Sequence, residues 1–590
     1  MNKLILICFT CILQIGLSQT NFTGQIGGAD GEVPYGMISD HDGNILVCGV
    51  FDQTVDFDLT VAIYELTSTA DYNGFIAKYD SAGALLWVNQ FDAFIYGIEV
   101  NALNEIYATG IFDGVADVNP SPDVFTLTSG GLSDGLMLKL NSNGDFLSAI
   151  QIGGSGEDGV GSFKLNSDGD IYVSGGFSDT VDFDPSADVY EITPSNMGTF
   201  YFCNTGFIAK YNSEFNLLWA EKIAYGGLLT LHKGDPGNEY ILISTAGVSA
   251  TSNDSSDFDP SISNFVNPVP DSLPDAHWMG HIKYDADGNY IWSHFYRTFG
   301  SLGSPSLGIY DVELDDDQNI YFTGSYILSF AEYPENDISL EPFIPFTGAS
   351  DGYLIKTDST ANLLWQKRFG SDYGSDYGSD FVLDNLNNIH LTGAFQQTAE
   401  FNEDDISETL MSAGSNDAYI IGYSSEGEFL YKGQAGSAES DGGFRITKRN
   451  EDIVVAGIFA NTTDCDLFAT ESELTSLGYQ DIFITSFVNE WAPAVIDTTT
   501  DTTGTFISEM LNANTVAYPN PFNKSITIQC KEDDQLLEIS IFNLLGNQLD
   551  LIQLNGSATT TIGSELPNGF YNLKIKSKNG ISYLNILKTE

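Results

Sequence analysis

Between Gly36 and Glu490 the chain alternates short apolar runs with Gly, Asp and Asn punctuation, and no stretch carries the 3.6-residue spacing of an amphipathic helix. Two runs set the pattern, ILVCGVF (Ile45–Phe51) and IYVSGGF (Ile171–Phe177). Each is followed by a second phrase, FIAKYDSAGALLW (Phe75–Trp87) or FIAKYNSEFNLLW (Phe207–Trp219). Runs this short, rich in β-branched and aromatic residues, predict strands. Asp42-Gly43, Asp168-Gly169, Asp287-Gly288 and Asn143-Gly144 predict hairpin turns, because these dipeptides take positive φ at little cost. One unit therefore reads as four strands, A to D, which in the first copy are GMISD, ILVCGVF, FIAKYD and LLWVNQF.

The unit recurs seven times at spacings of roughly 60 to 80 residues, long enough for a four-stranded blade with loops. Its second strand ends on Gly49, Gly110, Gly175, Gly324, Gly393 and Gly457, with Thr245 in the fourth copy. A unit of this kind cannot bury both of its faces alone, so the copies must stack. The two ends of the region are complementary. Phe22–Ile26 resembles a fourth strand with no strands before it, and the seventh copy runs through Asp481–Glu490 without a fourth strand. The expectation is an all-β, seven-bladed β-propeller over 20–490, closed by the N-terminal strand. Trp87, Trp219, Trp292 and Trp365 recur on strand D and are expected to pack between neighbouring sheets. The D-x-x-G-N-[IL]-x-V-x-G-x-F and F-I-x-K-Y-D-x-x-G-x-L-x-W phrases resemble the bacterial seven-bladed β-propeller-like repeat family over about 36–490. That resemblance implies a propeller and leaves the ligand open.

The flanks read differently. Lys3 followed by the apolar Leu4–Leu17 and small residues near Ser18 predicts a signal peptide over 1–19. Residues 491–514 are Thr/Asp-rich and read as a linker. Beyond them lysine returns, and strands at Ser525–Cys530, Leu537–Asn543, Gly569–Lys576 and Ser582–Lys588 predict a small Ig-like β-sandwich over 515–590. This segment resembles the C-terminal sorting domain of type IX secretion cargo. The matching residues are Tyr518-Pro519-Asn520-Pro521-Phe522, Ile539–Asn543 with Leu545-Gly546, Leu566-Pro567-Asn568-Gly569-Phe570-Tyr571, and Lys588. The resemblance implies type IX machinery as a partner, passage across the outer membrane of a Gram-negative cell, and a secreted or surface location.

Charge narrows the function. Residues 20–514 hold 74 acidic against 15 basic side chains, which accounts for the whole net charge of −59. Such a field repels phosphate backbones and excludes nucleic-acid binding, while it attracts divalent cations or basic partners. After Leu17 no segment is long and apolar enough to cross a bilayer. Of the six cysteines, Cys8 and Cys11 fall in the signal segment. Cys48, Cys203, Cys465 and Cys530 are scattered singly and read as free buried thiols.

The loop after strand B repeats an acid–apolar–acid triplet at Asp56/Asp58, Asp182/Asp184, Asp257/Asp259 and Asp464/Asp466. In extended chain the middle residue points inward and both carboxylates point the other way, so each pair is a candidate start of a Ca²⁺ site or a cap on backbone amides. No HExxH, GxSxG or P-loop motif occurs, and no catalytic residue is singled out. The reading is a secreted or surface interaction module for glycan, protein or matrix. Its alternatives are an extracellular polysaccharide hydrolase or lyase and a cation-bridged structural surface component. A periplasmic reporter fused to 510–590 in a type IX-competent host is expected outside the cell; retention in the periplasm refutes the sorting assignment.

Overall fold

A computed structural model describes residues 20–194, 205–223, 230–233, 240–249, 277–298, 308–326, 330–332, 350–372, 374–402, 408–450, 452–468 and 472–488. Beyond these it describes eight strands from Glu509 to Lys588 together with Ser525 and Leu566. The chain divides into two compact units, Met1–Ala492 and Pro493–Glu590. The N-terminal segment read as a signal peptide lies outside the described residues.

In the first unit seven antiparallel sheets each run A-B-C-D. Blade 1 comprises Val33–Ser39, Ile45–Phe51, Asn73–Tyr79 and Leu85–Phe91. The A strands of blades 2 to 7 are Phe94–Val100, Gly159–Leu165, Thr230–Lys233, Gly308–Leu314, Tyr377–Leu383 and Gly442–Arg449. Neighbouring A strands touch in an unbroken circle, Gly442–Arg449 meeting Val33–Ser39, so the unit is a seven-bladed β-propeller. The sheet of blade 7 continues through Asp452–Phe459 and Asp481–Val488 to Thr20–Gly28. Thr23 faces Thr485, Gln25 faces Phe483, and Ile26 faces Ile482 in antiparallel register. The same N-terminal strand then pairs Gly27 with Asp56 and Gly28 with Val55, in the loop arm of blade 1.

Two-faced burial explains the composition. Every residue of ILVCGVF and NGFIAKY is buried, whereas LLWVNQF on strand D is partly exposed. Period-2 alternation divides one strand between two interfaces. Ile45 and Val47 join a cluster with Val454, Ile482 and Ile484 of blade 7, while Leu46 and Cys48 join one with Ile106 and Leu136 of blade 2. At about 25 cal/mol per Å² of apolar surface, these interfaces supply most of the stabilisation.

Polar staples fix the stacking. A strand-C lysine pairs with an acid in its own A–B turn: Lys78 with Asp40 (2.8 Å), Lys139 with Glu105 (3.0 Å), Lys210 with Asp170 (2.9 Å) and Lys356 with Asp315 (3.5 Å). Three of these ammonium groups also donate to a carbonyl in the C–D turn of the next blade, at Ser142 (3.0 Å), Ser213 (3.4 Å) and Ser425 (3.1 Å). Trp365 Nε1 donates to the Ser425 carbonyl as well, and Trp219 Nε1 to the Ala286 carbonyl. The glycine of the receiving turn is doubly required. Gly144, Gly288 and Gly427 hold φ near +80° to +85°, and a Cβ on any of them would press on Trp87, Trp219 or Trp365.

Two blades depart from the staple. In blade 7 Ser486 stands where the lysine would be, and Arg449 of strand A donates to Ser81 O in the blade 1 turn (2.8 Å) and to Asp452 (2.5 Å). In blade 6 Gly422 stands opposite His390, whose ring bonds Tyr431 (2.6 Å) and Asp384 (3.4 Å) in the space. Burial alone would raise Asp384, but hydrogen bonds from His390 and Asn388 carry its carboxyl down to about 2.

The second unit has two four-stranded sheets, Glu509–Asn512/Thr515–Tyr518/Ile526–Cys530/Thr559–Ile562 and Gln548–Leu554/Leu537–Asn543/Gly569–Ser577/Gly580–Lys588. The four strands expected here are present to within two residues. Glu509–Asn512 falls inside the stretch read as linker: its Glu-Met-Leu-Asn is too short to stand out by period, and only pairing with Thr515–Tyr518 makes it a strand. Lys78→Met is expected to cost about 3 kcal/mol, because it strands Asp40 in the interface. Urea unfolding should show Asp40→Asn adding much less on that background than alone.

Candidate functional site

The acid triplets form one device repeated. Asp56 Oδ1 accepts the amides of Asp58 (3.1 Å) and Tyr64 (2.8 Å). Asp182 accepts those of Asp184 (3.1 Å) and Tyr190 (2.8 Å), and Asp464 those of Asp466 (3.1 Å) and Ser472 (3.0 Å). The second acid caps two residues on, Asp58 to Thr60 (2.8 Å), Asp184 to Ser186 (2.8 Å) and Asp466 to Phe468 (3.0 Å). The middle residues Phe57, Phe183 and Cys465 are buried, as the alternation requires. Each first carboxylate thus closes an eight-residue loop. Asp257 and Asp259 lie outside the described residues. Among the described residues no three His, Cys, Asp or Glu side chains gather as a metal cage, so each triplet offers two carboxylates already engaged with amides.

Among the sorting-motif residues, Pro519, Asn520, Pro521 and Gly546 lie outside the described residues. The others converge. Gly569 pairs with Lys588 across the sheet, Lys588 Nζ donates to the Leu566 carbonyl (2.6 Å), and Tyr571 is buried two residues along the same strand. Lys588 therefore ties the last strand to Leu566, three residues ahead of Gly569.

The inner ring carries chemistry that the sequence reading missed. In six described A strands the register slips after the second residue, a β-bulge that places one extra residue on the ring. Those residues are Tyr35, Tyr96, Gly161, Tyr310, Ser379 and Phe444. Tyr35 meets Tyr96 edge-on (5.1 Å), Tyr96 leads to Phe94 and Tyr72, and Tyr310 meets Tyr377 (6.2 Å). Arg445 lies between the two groups and donates to the Tyr35 carbonyl (2.5 Å). The result is an aromatic arc over blades 5, 6, 7, 1 and 2, with Tyr310 and Tyr72 exposed at 42% and 47%. Burial, then the neighbouring Tyr35, pushes the Tyr96 hydroxyl up to about 12.

Farther along the A strands the lining turns acidic. Two adjoining cavities of about 620 and 600 Å³ open among the A–B turns and share Glu99, Lys164 and Glu313. Lys164 pairs with Glu99 (2.8 Å). Asp311 accepts the Phe381 amide (3.2 Å) and Asp380 accepts the Ile446 amide (2.9 Å), so each acid clamps the next blade. Burial, and then the adjacent Asp380, raises Asp311 well above the usual carboxyl range, while burial brings Glu313 to about 7 against the opposing charge of Lys164. A protonated acid beside an ionised one is able to donate and accept protons at neutral pH. A motif scan misses these residues because they come from four different copies, blades 2, 3, 5 and 6. Their only sequence signal is a shared offset from the start of strand A.

Residues 516–588 match the family of secretion system C-terminal sorting domains. This segment is a sorting domain. A type IX domain of this kind places the protein among secreted or cell-surface proteins and makes the secretion machinery its partner. No curated protein matches the chain. Among solved structures, the chain is similar to a Bacteroides caccae protein of unknown function, at 8% identity and a TM-score of 0.27, over 61% of this chain and 89% of that one. It is also similar to the GH43 protein BlXynB of Bacillus licheniformis, at 9% identity and a TM-score of 0.21, over 79% and 99%. Scores this low leave the propeller to rest on its own strand pairing. Among the described residues no helix is long and apolar enough to cross a membrane.

Cys48 and Cys465 are buried free thiols, and burial pushes Cys48 up to about 12, where it is inert. Cys203 and the side chain of Cys530 lie outside the described residues. Asp182→Asn keeps an oxygen for both loop amides and is expected to be within about 1 kcal/mol of the parent, whereas Asp182→Ala should lose about 2 kcal/mol in denaturant unfolding.

Proposed function

We propose that this protein is an exported binding module whose propeller holds an extracellular glycan at the aromatic end of its ring. The arc of Tyr35, Tyr96, Tyr310, Tyr377 and Phe444 carries this reading. Partly exposed ring faces match the apolar C–H faces of sugars, and Arg445 adds donors for hydroxyls beside them. The net charge of −59 favours a neutral saccharide over a polyanionic one. The N-terminal strand serves this site by closing the ring, a role supported by its register against Asp481–Val488. The C-terminal sheets are read as an Ig-like sandwich that acts as the export label, with 1–19 as the signal peptide.

The buried Asp311 and Asp380, each clamping an amide of the next blade beside the Lys164 cavity, favour a second reading, a hydrolase or lyase working inside the ring. The full chain should be retained by at least one neutral polysaccharide in affinity electrophoresis, with Tyr96→Ala plus Tyr310→Ala weakening retention at least about tenfold. Unchanged retention by the double variant removes the arc as the site. Turnover of a retained polysaccharide that Asp311→Asn abolishes would instead establish the enzyme. Removal of residues 20–28 is expected to lower the propeller's melting temperature and expose it to protease; unaltered melting would dismiss the closing role.

A further inference from the structure

Acids just ahead of strand A lie under the loops that join one blade to the next, and one of them is unlike the rest. Glu32, Asp158, Asp376 and Asp441 are 0%, 3%, 0% and 2% exposed. Asp158 accepts the amides of Gly154 (2.7 Å) and Ser178 (3.0 Å). Asp441 accepts those of Ser437 (2.5 Å) and Ala460 (2.8 Å), and Asp376 those of Ser371 (2.7 Å) and Gln396 (2.7 Å). Each aspartate thus bonds its own loop to strand B of the next blade, at the residue after the strand for Asp158 and Asp441 and within it for Asp376. The corresponding amides in blade 1 belong to Gly28 and Asp52. Glu32 is one methylene longer; the nearby Gly28 amide makes no well-formed hydrogen bond to it, and both Oε1 and Oε2 are buried without one.

Asp481, the first residue of strand C in blade 7, is the strongest neighbouring charge on Glu32. It is also 0% exposed. Its Oδ2 accepts Leu477 N (2.9 Å) and Gln25 Nε2 (3.2 Å), while Oδ1 has no partner. Glycines let these groups close in: a Cβ on Gly28 would meet the Thr54 carbonyl (2.6 Å) and Glu32 Oε1 (3.1 Å), and one on Gly27 would meet Asp481 Oδ2. An ionised carboxylate buried without donors costs several kcal/mol. Protonation of one acid satisfies at most one further oxygen and leaves the rest bare. A cation satisfies both acids together.

We propose that Glu32 and Asp481 form a Ca²⁺ site at the junction of blades 7 and 1, where the N-terminal strand meets its partner. Glu32 Oε1 and Oε2 and Asp481 Oδ1 are the free oxygens, and an all-oxygen set selects a hard cation. Asp30 adds negative charge at the approach, its carboxylate bonded to Gln53. The described junctions that carry Asp158, Asp376 and Asp441 need no ion, because amides already engage those carboxylates. Binding joins residues 449 positions apart and secures the first strand in place.

The test is thermal melting of the full chain, refolded with EDTA, CaCl₂ or NaCl at matched ionic strength. At pH 8, CaCl₂ is expected to raise Tm by about 3 °C over the NaCl control. Glu32→Asp should restore the two-amide cap, melt at or above the parent in EDTA and lose the calcium response. Glu32→Gln should also lose that response. A parent indifferent to calcium, an equal effect of NaCl, or a response kept by both variants would overturn the site.

Discussion

A four-stranded sheet with two apolar faces has no stable life alone, and every other feature of this propeller answers that constraint. Strands B and C of blade 1 bury all their residues because each face meets a different neighbour, which is why Ile45 and Leu46, adjacent in sequence, serve separate cores. Removing one blade would expose two of these cores at once. Closure into a circle gives every face a partner and leaves no blade terminal.

Apolar stacking is non-directional, so the angular setting of the blades falls to polar contacts. The strand-C lysine bonds an acid of its own blade and a carbonyl of the next, and the strand-D tryptophan rests on that same turn. Where blade 7 has serine, Arg449 reaches the same joint from strand A; where blade 6 has glycine, the Tyr431–His390–Asp384 set fills the lysine's space within the blade. The outer acids take part in the same way: each acid of the Asp-x-Asp loops commits one oxygen to backbone amides.

Sequence legibility followed the range of the interaction. The hairpin at Asp40–Asn44 is closed by its own residues, with Asp40 accepting the Asp42 and Asn44 amides, so its signature is complete within five positions. The sorting segment was equally readable, because its motifs lie in order within 516–588. The strand Glu509–Asn512 was not, since pairing alone defines it. The inner ring was least legible. Tyr35, Tyr96, Tyr310 and Phe444 are unremarkable within their own strands and become an arc only when five copies are arranged about one axis.

By itself, the sequence determined what is local or periodic: turn chemistry, two-faced strands, seven copies and an export label, all of which act over a few residues or one repeat. Tertiary structure decided which of the 81 acids remain solvated, which cap loops and which are buried as pairs. Glu32 and Asp481 are ordinary carboxylates until the chain's ends meet, because desolvation depends on what surrounds a group and not on its sequence neighbours.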